Sequence, residues 1–321
     1  MKKKILLLHN QIKNHTPDEL DVLAQRDLIS NSCLKIGYDV NCLTVGDDLH
    51  KTLEKITSAK PDIIFNLVEA IWGKSELIYF APALLNLLKI PYTGTPLEAL
   101  FISTNKALAK KIMRLNDLPT ADYFSIAELS QLNPDKTYIA KPIWEEASVG
   151  ISDDYIFNIA ETEKLNKISQ LSPTHYFVEE FINGREFNVS ILTRGDDAEV
   201  LPPAEMIFSS FFDNKHKIIG YAAKWDEDSD EFKNTNRVFN SADNDIQLKQ
   251  KLIDICGRCW KNFSLKGYAR IDFRVDEDNN VYILEINGNP CIAENSGFVA
   301  AVKQTGYSVE TMVERILSDL N

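Results

Sequence analysis

Short apolar segments alternate with amphipathic ones along the first hundred residues. Strand patterns cover residues 4–9, 39–43 and 62–67, and helix patterns cover residues 17–34, 48–58 and 76–88. A further short strand is predicted at residues 90–92. Such alternation is typical of a parallel, doubly wound sheet. We therefore predict an α/β, Rossmann-like domain over residues 1–98.

The pattern changes from residue 104 onwards. A helix is predicted at 104–116, strands at 138–142, 176–182 and 186–192, and two later helices at 245–263 and 307–319. We expect a small α+β domain over residues 99–182 and a larger antiparallel-sheet domain over residues 183–321. Residues 225–245 are rich in Asp, Asn and Ser, which predicts a mobile loop.

A predicted hairpin near the C-terminus carries a cluster of polar side chains. Its strands begin at residues 267 and 281, and the segment between them is mostly acidic or amide. Because side chains alternate along a strand, Arg270 and Asp272 share one face, as do Glu285 and Asn287. If the two faces coincide, their oxygen atoms suit Mg²⁺ and the arginine suits phosphate or oxyanion charge. The alternative is a solvated hairpin, against which the apolar neighbours on both strands argue.

Composition narrows the function classes. A chain of 321 residues with a net charge of −12 is expected to hold two or three domains and to avoid nucleic acid and anionic membranes. No apolar run reaches the roughly 18 residues of a membrane span, and the apolar start is too short for a signal peptide. Five scattered cysteines indicate reduced thiols in the cytoplasm, with Cys256 and Cys259 on a helix facing a core. The glycine fingerprint of a dinucleotide site and the Walker A motif are both missing.

Lysines and acids upstream of the hairpin are candidates for nucleotide binding. Lys141 ends an apolar strand before a proline, and Lys106 lies early in a helix, so either could neutralise phosphate oxygens. The alternative for each is a solvated surface lysine. The segment from Glu179 to Ile182 could form a backbone hinge for adenine, and Glu186 could bind ribose. Alternatively, Glu179 and its neighbour protect an edge strand against aggregation.

A series of motifs in fixed order resembles the D-alanine–D-alanine ligase-like branch of the ATP-grasp superfamily. The matching segments are Asn105-Lys106, Ile139-Ala-Lys-Pro142, Ser148-Val-Gly150, Phe177-Val-Glu-Glu-Phe-Ile182, Gly184-Arg-Glu-Phe-Asn188, Ala223-Lys224, Ala269-Arg-Ile-Asp272 and Leu284-Glu-Ile-Asn287. The resemblance covers roughly residues 60 to 315. It implies an ATP-grasp fold with ATP between the small domain and the C-terminal sheet.

The resemblance also implies roles for individual residues. For the nucleotide these are Lys106 and Lys141 at the α and β phosphates, Glu179, Glu180 and Ile182 in the adenine hinge, and Glu186 at the ribose. Asp272, Glu285 and Asn287 would hold two Mg²⁺ ions, with Mn²⁺ as an alternative. The catalytic residues would be Arg270, Ser148 and Lys224, the lysine reaching the γ-phosphate from the mobile loop. The backbone N–H of Cys291 would assist Arg270.

The segments that would face the substrates depart from the family pattern. They are residues 9–19, residues 66–69, Trp225 and residues 289–297. We therefore expect an ATP-dependent carboxylate–amine ligase that acts through an acyl phosphate on amino acids or a small peptide other than D-alanine plus D-alanine. Glu69, Glu76 and Glu294 are candidates to bind an ammonium group. The alternatives are a D-alanine–D-alanine ligase, a kinase or carboxylate–thiol ligase with the same ATP site, and a non-catalytic ATP-binding module. The resemblance also implies a homodimer.

Overall fold

The computed structural model describes residues 2–145, 148–213, 215–239 and 245–321. Within these residues the strands form three sheets, which follow one another along the chain. Two of the predicted loops extend beyond the described residues. Residues 146 and 147 of the candidate phosphate loop lie outside them, as do residues 240–244 of the predicted mobile loop.

The N-terminal sheet is parallel, with strand order β2-β1-β3. Its elements are β1 (Lys4–Asn10), α1 (Pro17–Lys35), β2 (Asp39–Val45), α2 (Leu49–Ala59), β3 (Ile63–Leu67) and α3 (Phe80–Leu88). Strand β3 and most of β1 are buried, which explains their continuous apolar sequences. The predicted strand–helix alternation is therefore confirmed.

Two predicted elements of this domain were too long. The predicted helix at 76–88 is a 3₁₀ turn over Ser75–Leu77 followed by α3 from Phe80. Pro82 explains the late start, because proline fits the first turn of a helix but not its interior. The predicted strand at 90–92 is only a bridge between Tyr92 and Ile64.

Two helices connect the N-terminal sheet to the small sheet. They are α4 (Leu97–Thr104), which the sequence reading missed, and α5 (Lys106–Leu115). The predicted helix at 104–116 begins later than expected because Asn105 is its N-cap. The Asn105 side chain accepts a hydrogen bond from the Leu108 N–H at 2.9 Å. This cap places Lys106 in the first turn of α5.

The small sheet is antiparallel, with strand order β4-β7-β5-β6. Its elements are β4 (Tyr123–Ser125), β5 (Tyr138–Pro142), β6 (Ile156–Phe157), α6 (Thr162–Ser169) and β7 (Tyr176–Glu180). Strand β7 lies between β4 and β5, so it is not an edge strand. The alternative that Glu179 and Glu180 protect an edge is therefore wrong.

The large sheet follows the order β11-β10-β8-β12-β13, with β9 paired to β8. Its strands are β8 (Arg185–Arg194), β9 (Asp197–Val200), β10 (Ala204–Phe208), β11 (Thr235–Val238), β12 (Tyr268–Val275) and β13 (Val281–Asn287). The helices of this region are α7 (Tyr221–Trp225), α8 (Asp230–Lys233), α9 (Ile246–Asn262), α10 (Gly297–Gln304) and α11 (Val309–Leu317). Helix α10 was not predicted from the sequence.

Part of the predicted mobile loop is regular structure. Helix α8 and strand β11 lie inside residues 225–245, and β11 pairs antiparallel with β10. Pairing with a distant strand supplies the hydrogen bonds, and polar composition gives no sign of such pairing. Lys224 was also misplaced by the prediction, because it lies on α7 and not in a loop.

The helices that cover the sheets join the three parts of the chain. Cys256 and Cys259 on α9 are buried in the core against the large sheet, as predicted, and both are free thiols. Helices α10 and α11 share a core with the N-terminal sheet, where Phe298 and Ile316 pack in the same cluster as Ile5. Among the described residues, none of the helices has both the length and the apolar character needed to cross a membrane.

Candidate active site

The polar faces of β12 and β13 coincide. Arg270 lies opposite Asn287, and Asp272 lies opposite Glu285 in the antiparallel register. The apolar neighbours Ile271 and Ile286 are buried on the other face. The hairpin thus has one polar face that lines the cleft and one apolar face in the core, and the alternative of a solvated hairpin is wrong.

A β-bulge makes this register possible. Ile283 pairs with Phe273, whereas Glu285 pairs with Asp272, so Leu284 is an extra residue in β13. Without the extra residue in the pairing, strict alternation from Ile283 would place Leu284 opposite Asp272 and turn Glu285 into the core. The two consecutive apolar residues at 283 and 284 were the signal for the bulge, which the sequence reading did not use.

The two hairpin carboxylates lie close together beside the arginine. Arg270 donates two hydrogen bonds of 2.7 Å to Asp272, and its Nη2 lies 3.9 Å from Glu285. Burial raises the pKa of Asp272, whereas the positive charges of Lys106 and Arg270 outweigh burial and lower the pKa of Glu285. Adjacent buried carboxylates are stabilised by cations, so this pair fits a divalent ion.

The protein side chains at this position offer few oxygen ligands for a metal site made of protein atoms alone. Among the described residues, no group of three or more His, Cys, Asp and Glu side chains is placed to hold an ion. Asn287 adds an amide oxygen, which also accepts a hydrogen bond of 2.8 Å from the Asn289 N–H. Two carboxylates and one amide fit Mg²⁺, which completes its octahedron with water and phosphate oxygens.

Two predicted phosphate ligands approach the carboxylates from α5 and β5. The Lys106 ammonium donates to the Glu145 carbonyl at 2.5 Å and lies 3.5 Å from Glu285 Oε2. Lys106 is buried behind the cleft wall, and Lys141 on β5 lines the cleft itself. The alternative of a solvated surface lysine is therefore wrong for both.

Glu179 holds Lys141 through a buried ion-pair network. Its carboxylate lies 2.5 Å from the Lys141 ammonium and 2.6 Å from that of Lys110. Burial opposes the ionisation of Glu179, but the two lysines outweigh it and lower its pKa. The sequence reading missed Lys110, although it follows Lys106 by four residues and so lies on the same face of α5.

The predicted adenine end of the cleft lies where β7 leads into β8. Glu180 forms an ion pair of 2.6 Å with Lys136, and Glu186 forms one of 2.8 Å with Arg274. Within the described residues, the Ile182 N–H donates to no backbone carbonyl. Arg274 was missed, although it lies two residues beyond Asp272 on the same face of β12.

Lys224 and Ser148 both line the cleft. Burial, followed by the nearby Arg270 charge, lowers the pKa of Lys224, and its ammonium lies 5.2 Å from the centre of the Trp225 ring. Ser148 lines the cleft with a φ of 65°, an uncommon conformation for a residue other than glycine. Tyr221 on α7 donates a hydrogen bond of 2.6 Å to Asp18 of α1, so α7 contacts the N-terminal domain.

The N-terminal domain contributes acidic groups to the cleft. Glu69 lines it and accepts a hydrogen bond of 2.8 Å from Gln25, whereas Asp21 accepts one of 2.7 Å from the Cys291 thiol. Burial raises the pKa of Glu69 to about 7. The other two candidates for ammonium binding lie elsewhere, since Glu76 pairs with Lys74 and Glu294 pairs with Lys303.

A large cleft brings most of the predicted residues together. Its volume is about 1130 Å³, above the usual range of roughly 300–1,000 Å³ for small-molecule sites, and thus sufficient for a nucleotide with further substrates. The predicted site residues that line it are Lys141, Ser148, Glu179, Glu180, Ile182, Glu186, Lys224, Arg270, Asp272, Glu285 and Asn287. Lys106 does not line the cleft, but its ammonium lies 3.5 Å from Glu285, which does.

A cleft between a small and a large antiparallel sheet, with lysines and paired carboxylates in its walls, defines an ATP-grasp enzyme. The fold matches that of a D-alanine–D-alanine ligase from Bacillus anthracis in complex with ATP, with a TM-score of 0.73 at 19% identity over 98% of this chain and 96% of that one. The family model described as "D-ala D-ala ligase C-terminus" matches residues 133–318.

The sequence comparison with curated proteins agrees. The chain is 29% identical to the D-alanine–D-alanine ligase of Carboxydothermus hydrogenoformans over 91% of this chain and 90% of that protein. It is 30% identical to the enzyme of the same name from Aquifex aeolicus over 90% and 92%. The chain belongs to the D-alanine–D-alanine ligase family. It is thus an ATP-grasp ligase of the ADP-forming, carbon–nitrogen bond-forming class, which uses ATP and a divalent metal.

Proposed function

We propose that this enzyme joins a carboxylate to an amine through an acyl phosphate, and that its substrates are amino acids or a small peptide other than D-alanine plus D-alanine. The observation that carries the reaction is the position of Arg270 and Lys224 beside the carboxylates Asp272 and Glu285. This arrangement combines a metal site with cations next to the place where acyl transfer would occur.

The nucleotide would lie between the small and large sheets. Lys106 and Lys141 would bind the α and β phosphates, since both ammonium groups lie near the hairpin carboxylates or line the same cleft. The backbone from Glu179 to Ile182 would bind adenine, because the Glu179 side chain is already occupied by two lysines. Glu186 would bind the ribose hydroxyls.

The hairpin would position the reacting phosphate. Asp272, Glu285 and Asn287 would hold two Mg²⁺ ions, which supply charge neutralisation to the phosphoryl group when bound. Lys224 would contact the γ-phosphate, and its lowered pKa follows from the burial that brings it there. Ser148 would cover the phosphates from the loop after β5.

Arg270 would serve the two chemical steps in turn. A carboxylate is a poor electrophile until its oxygen is phosphorylated, after which the amine attacks and phosphate leaves. The guanidinium would first neutralise the acyl phosphate, and it would then stabilise the negative charge that attack of the amine develops on the acyl oxygen. The cleft would be closed to water during these steps, because α7 contacts α1 through the 2.6 Å hydrogen bond from Tyr221 to Asp18.

D-alanine–D-alanine synthesis is the second candidate, because the relatives reported above carry that name. The residues of this chain at the substrate end argue for a different pair. There Cys291 donates to Asp21, and Gln25 donates to Glu69. Cys291 and Glu69 lie in segments that depart from the family pattern. These side chains would determine the charge and shape of the part of the cleft that binds the substrates.

ADP release with panels of amino acids and short peptides tests the proposal. Product mass would identify an amide, and the Arg270→Ala variant supplies the control for background ATP hydrolysis. We expect ADP release and an amide product with a substrate pair other than D-alanine plus D-alanine. Strong stimulation by D-alanine alone would establish the second candidate, and a stable phosphoester or thioester would refute amide formation.

A further inference from the structure

Asn10 at the end of β1 and Asn14 in the loop that follows both line the cleft. The Asn10 Oδ1 atom accepts a hydrogen bond of 3.2 Å from the Glu69 N–H, which leaves its Nδ2 group as a donor. The Asn14 Nδ2 group donates one of 2.9 Å to the Glu19 carboxylate, which leaves its Oδ1 atom as an acceptor. Within the described part of the chain, neither remaining group has a hydrogen-bond partner.

Asn10 is the buried member of this pair. Only 6% of the residue is exposed, and buried polar groups in folded proteins are normally hydrogen-bonded. Because Asn10 also lines the cleft, a bound ligand could supply the acceptor that its Nδ2 group lacks. This buried donor therefore indicates a ligand oxygen at this point of the cleft.

A chain of hydrogen bonds connects Asn10 to the catalytic hairpin. The Asn289 N–H donates to the Asn287 Oδ1 atom at 2.8 Å, and the Asn289 side chain donates to the Val68 carbonyl at 3.1 Å. Val68 immediately precedes Glu69, whose N–H binds Asn10. Asn10 thus lies near the end of the hairpin that carries Asn287.

Asn14 is the outer member of the pair and is exposed to solvent. Its loop is held by Glu19, whose Oε2 atom accepts hydrogen bonds of 3.1, 2.6 and 3.1 Å from the backbone N–H groups of residues 13–15. The chain therefore presents a donor near the hairpin and an acceptor towards the solvent before a substrate binds. Such preorganisation lowers the entropy that binding costs.

We propose that the carboxylate substrate is a peptide whose backbone binds Asn10 and Asn14. A peptide group has one C=O acceptor and one N–H donor, which complement the Asn10 Nδ2 group and the Asn14 Oδ1 atom. A free amino acid that reacts through its carboxylate has no second carbonyl for Asn10. The two asparagines are specificity-determining residues in this role. The inference rests on the proposed function, because it needs a carboxylate that ATP activates.

A competition for activation tests the substrate class. Each member of a panel of dipeptides, with small, apolar and charged side chains in both configurations, is mixed with an equal amount of its own C-terminal amino acid, ATP and Mg²⁺. Hydroxylamine in excess converts an acyl phosphate into a hydroxamate with release of phosphate, so product mass shows which carboxylate was activated. We expect the wild-type enzyme to favour the dipeptide.

Asn14→Ala should lower the ratio of dipeptide to amino acid hydroxamate by roughly two- to tenfold, the range for loss of one neutral hydrogen bond. Asn166→Ala on α6, an exposed asparagine outside the cleft, is the matched control and should keep the wild-type ratio. Activation of the free amino acids alone by the wild type, or an unchanged ratio in Asn14→Ala, overturns the inference while the ligase reaction stands.

An ester analogue of each reactive dipeptide isolates the hydrogen bond to Asn14. Oxygen replaces the peptide N–H in this analogue, which keeps the carbonyl for Asn10 but has no donor for Asn14. We expect the wild type to activate the ester roughly two- to tenfold less efficiently than the dipeptide, and Asn14→Ala to abolish that difference. A merely structural role of Asn14 would leave the difference intact, and that result overturns the inference.

Binding without turnover separates the inference from the proposed function. The dipeptides of the panel and their ester analogues are titrated calorimetrically into the enzyme in the presence of Mg²⁺ and ADP. Tighter binding of a dipeptide than of its ester, lost in Asn14→Ala, would support the inference even if no acyl phosphate forms. Equal binding of dipeptide and ester by the wild type across the panel overturns it.

Discussion

Lys110 and Lys141 each place an ammonium group within 2.6 Å of the Glu179 carboxylate. Glu179 and Lys110 are almost completely buried, so the three charges depend on one another for stability. Lys141 alone of the two lysines lines the cleft. The network therefore fixes the direction of a phosphate-binding lysine before the nucleotide arrives, which lowers the entropy lost on binding.

Glu179→Gln should destabilise the protein strongly. Removal of this charge leaves two ammonium groups unpaired in the interior, and breaking a buried pair costs about 3–5 kcal/mol. The free energy of unfolding in urea measures the loss. Glu180→Gln is the matched control on the same strand, because its partner Lys136 is partly exposed and such pairs contribute about 1 kcal/mol or less. Equal losses in both variants would contradict the network.

Arg270→Ala should lower the rate of ADP release by about 10²–10³-fold with the substrate pair found in the panels, since one preorganised donor typically contributes that much. The steady-state rate at saturating ATP measures this effect. Arg270→Lys is the companion variant, which keeps a charge but loses the two 2.7 Å hydrogen bonds to Asp272. A rate in Arg270→Ala within a few-fold of the wild-type rate would show that the arginine does not contribute to the chemical steps.

At the scale of single elements, the hairpin was the best predicted part of the site. Alternation alone placed Arg270 and Asp272 on one face, and the same rule placed Glu285 and Asn287 together. The break in alternation at Ile283 and Leu284 indicated an irregularity, but only the pairing with the partner strand shows that Leu284 is the extra residue. The same limit applies to β11, whose strand character depends on β10 and not on its own polar sequence.

Helix starts show what local sequence can and cannot specify. Asn105 is an ordinary N-cap residue, yet the predicted helix began before it, since the apolar pattern of α4 runs into that of α5. Helix α10 follows Ser296, whose side chain accepts from the Val299 N–H at 3.2 Å. That cap was visible in the sequence, but residues 289–297 were considered only as a segment that would face the substrates, so the helix was missed.

Gly184, in the connection between β7 and β8, should not tolerate a side chain. Its φ is 148°, and a Cβ there would lie 2.1 Å from the Val275 carbonyl oxygen, which as backbone cannot easily move. Gly184→Ala should therefore lower the free energy of unfolding by at least about 1–3 kcal/mol, the usual cost of overpacking. Denaturant titration measures it.

Gly257→Ala is the matched control for the same substitution. Gly257 lies inside α9, and among the described residues no atom other than those of its chain neighbours and its own helix backbone lies within 4 Å of its would-be Cβ. Alanine there should stabilise the protein by roughly 0.5–1 kcal/mol, because glycine is a poor residue in a helix interior. A loss in Gly257→Ala as large as in Gly184→Ala would show that the close approach to Val275 is not the cause.

At the scale of the whole molecule, the cleft depends on contacts between parts that are distant in sequence. Helices α10 and α11 pack on the N-terminal sheet, and Asn289 of the large domain donates to the Val68 carbonyl at 3.1 Å. The order of motifs allowed the ATP-grasp fold to be predicted, since each motif carries its own local pattern. Glu69 in the loop after β3 was a candidate from the sequence, but Asp21 on α1 could not be placed in the cleft, because its position there depends on the contact between α1 and Cys291.

Glu69 lies at this junction and makes the stability of the molecule depend on pH. Burial, followed by the neighbouring Asp21 charge, raises its pKa from 4.5 to about 7 in the folded protein. Between these two pH values the folded state binds more protons than the unfolded state. The raised pKa therefore costs stability as the pH increases from about 4.5 to 7, and the cost is fully present above pH 7.

Glu69→Gln should remove that cost, because glutamine does not ionise. Relative to the wild type, the variant should gain stability as the pH is raised from 5 to 8, as measured by urea unfolding at both values. Glu314→Gln, an exposed acid on α11, sets the baseline for loss of one negative charge. A difference between Glu69→Gln and wild type that is the same at pH 5 and pH 8 would show that Glu69 is already ionised at pH 5, and hence that the N-terminal domain does not enclose it as closely as the Gln25 hydrogen bond indicates.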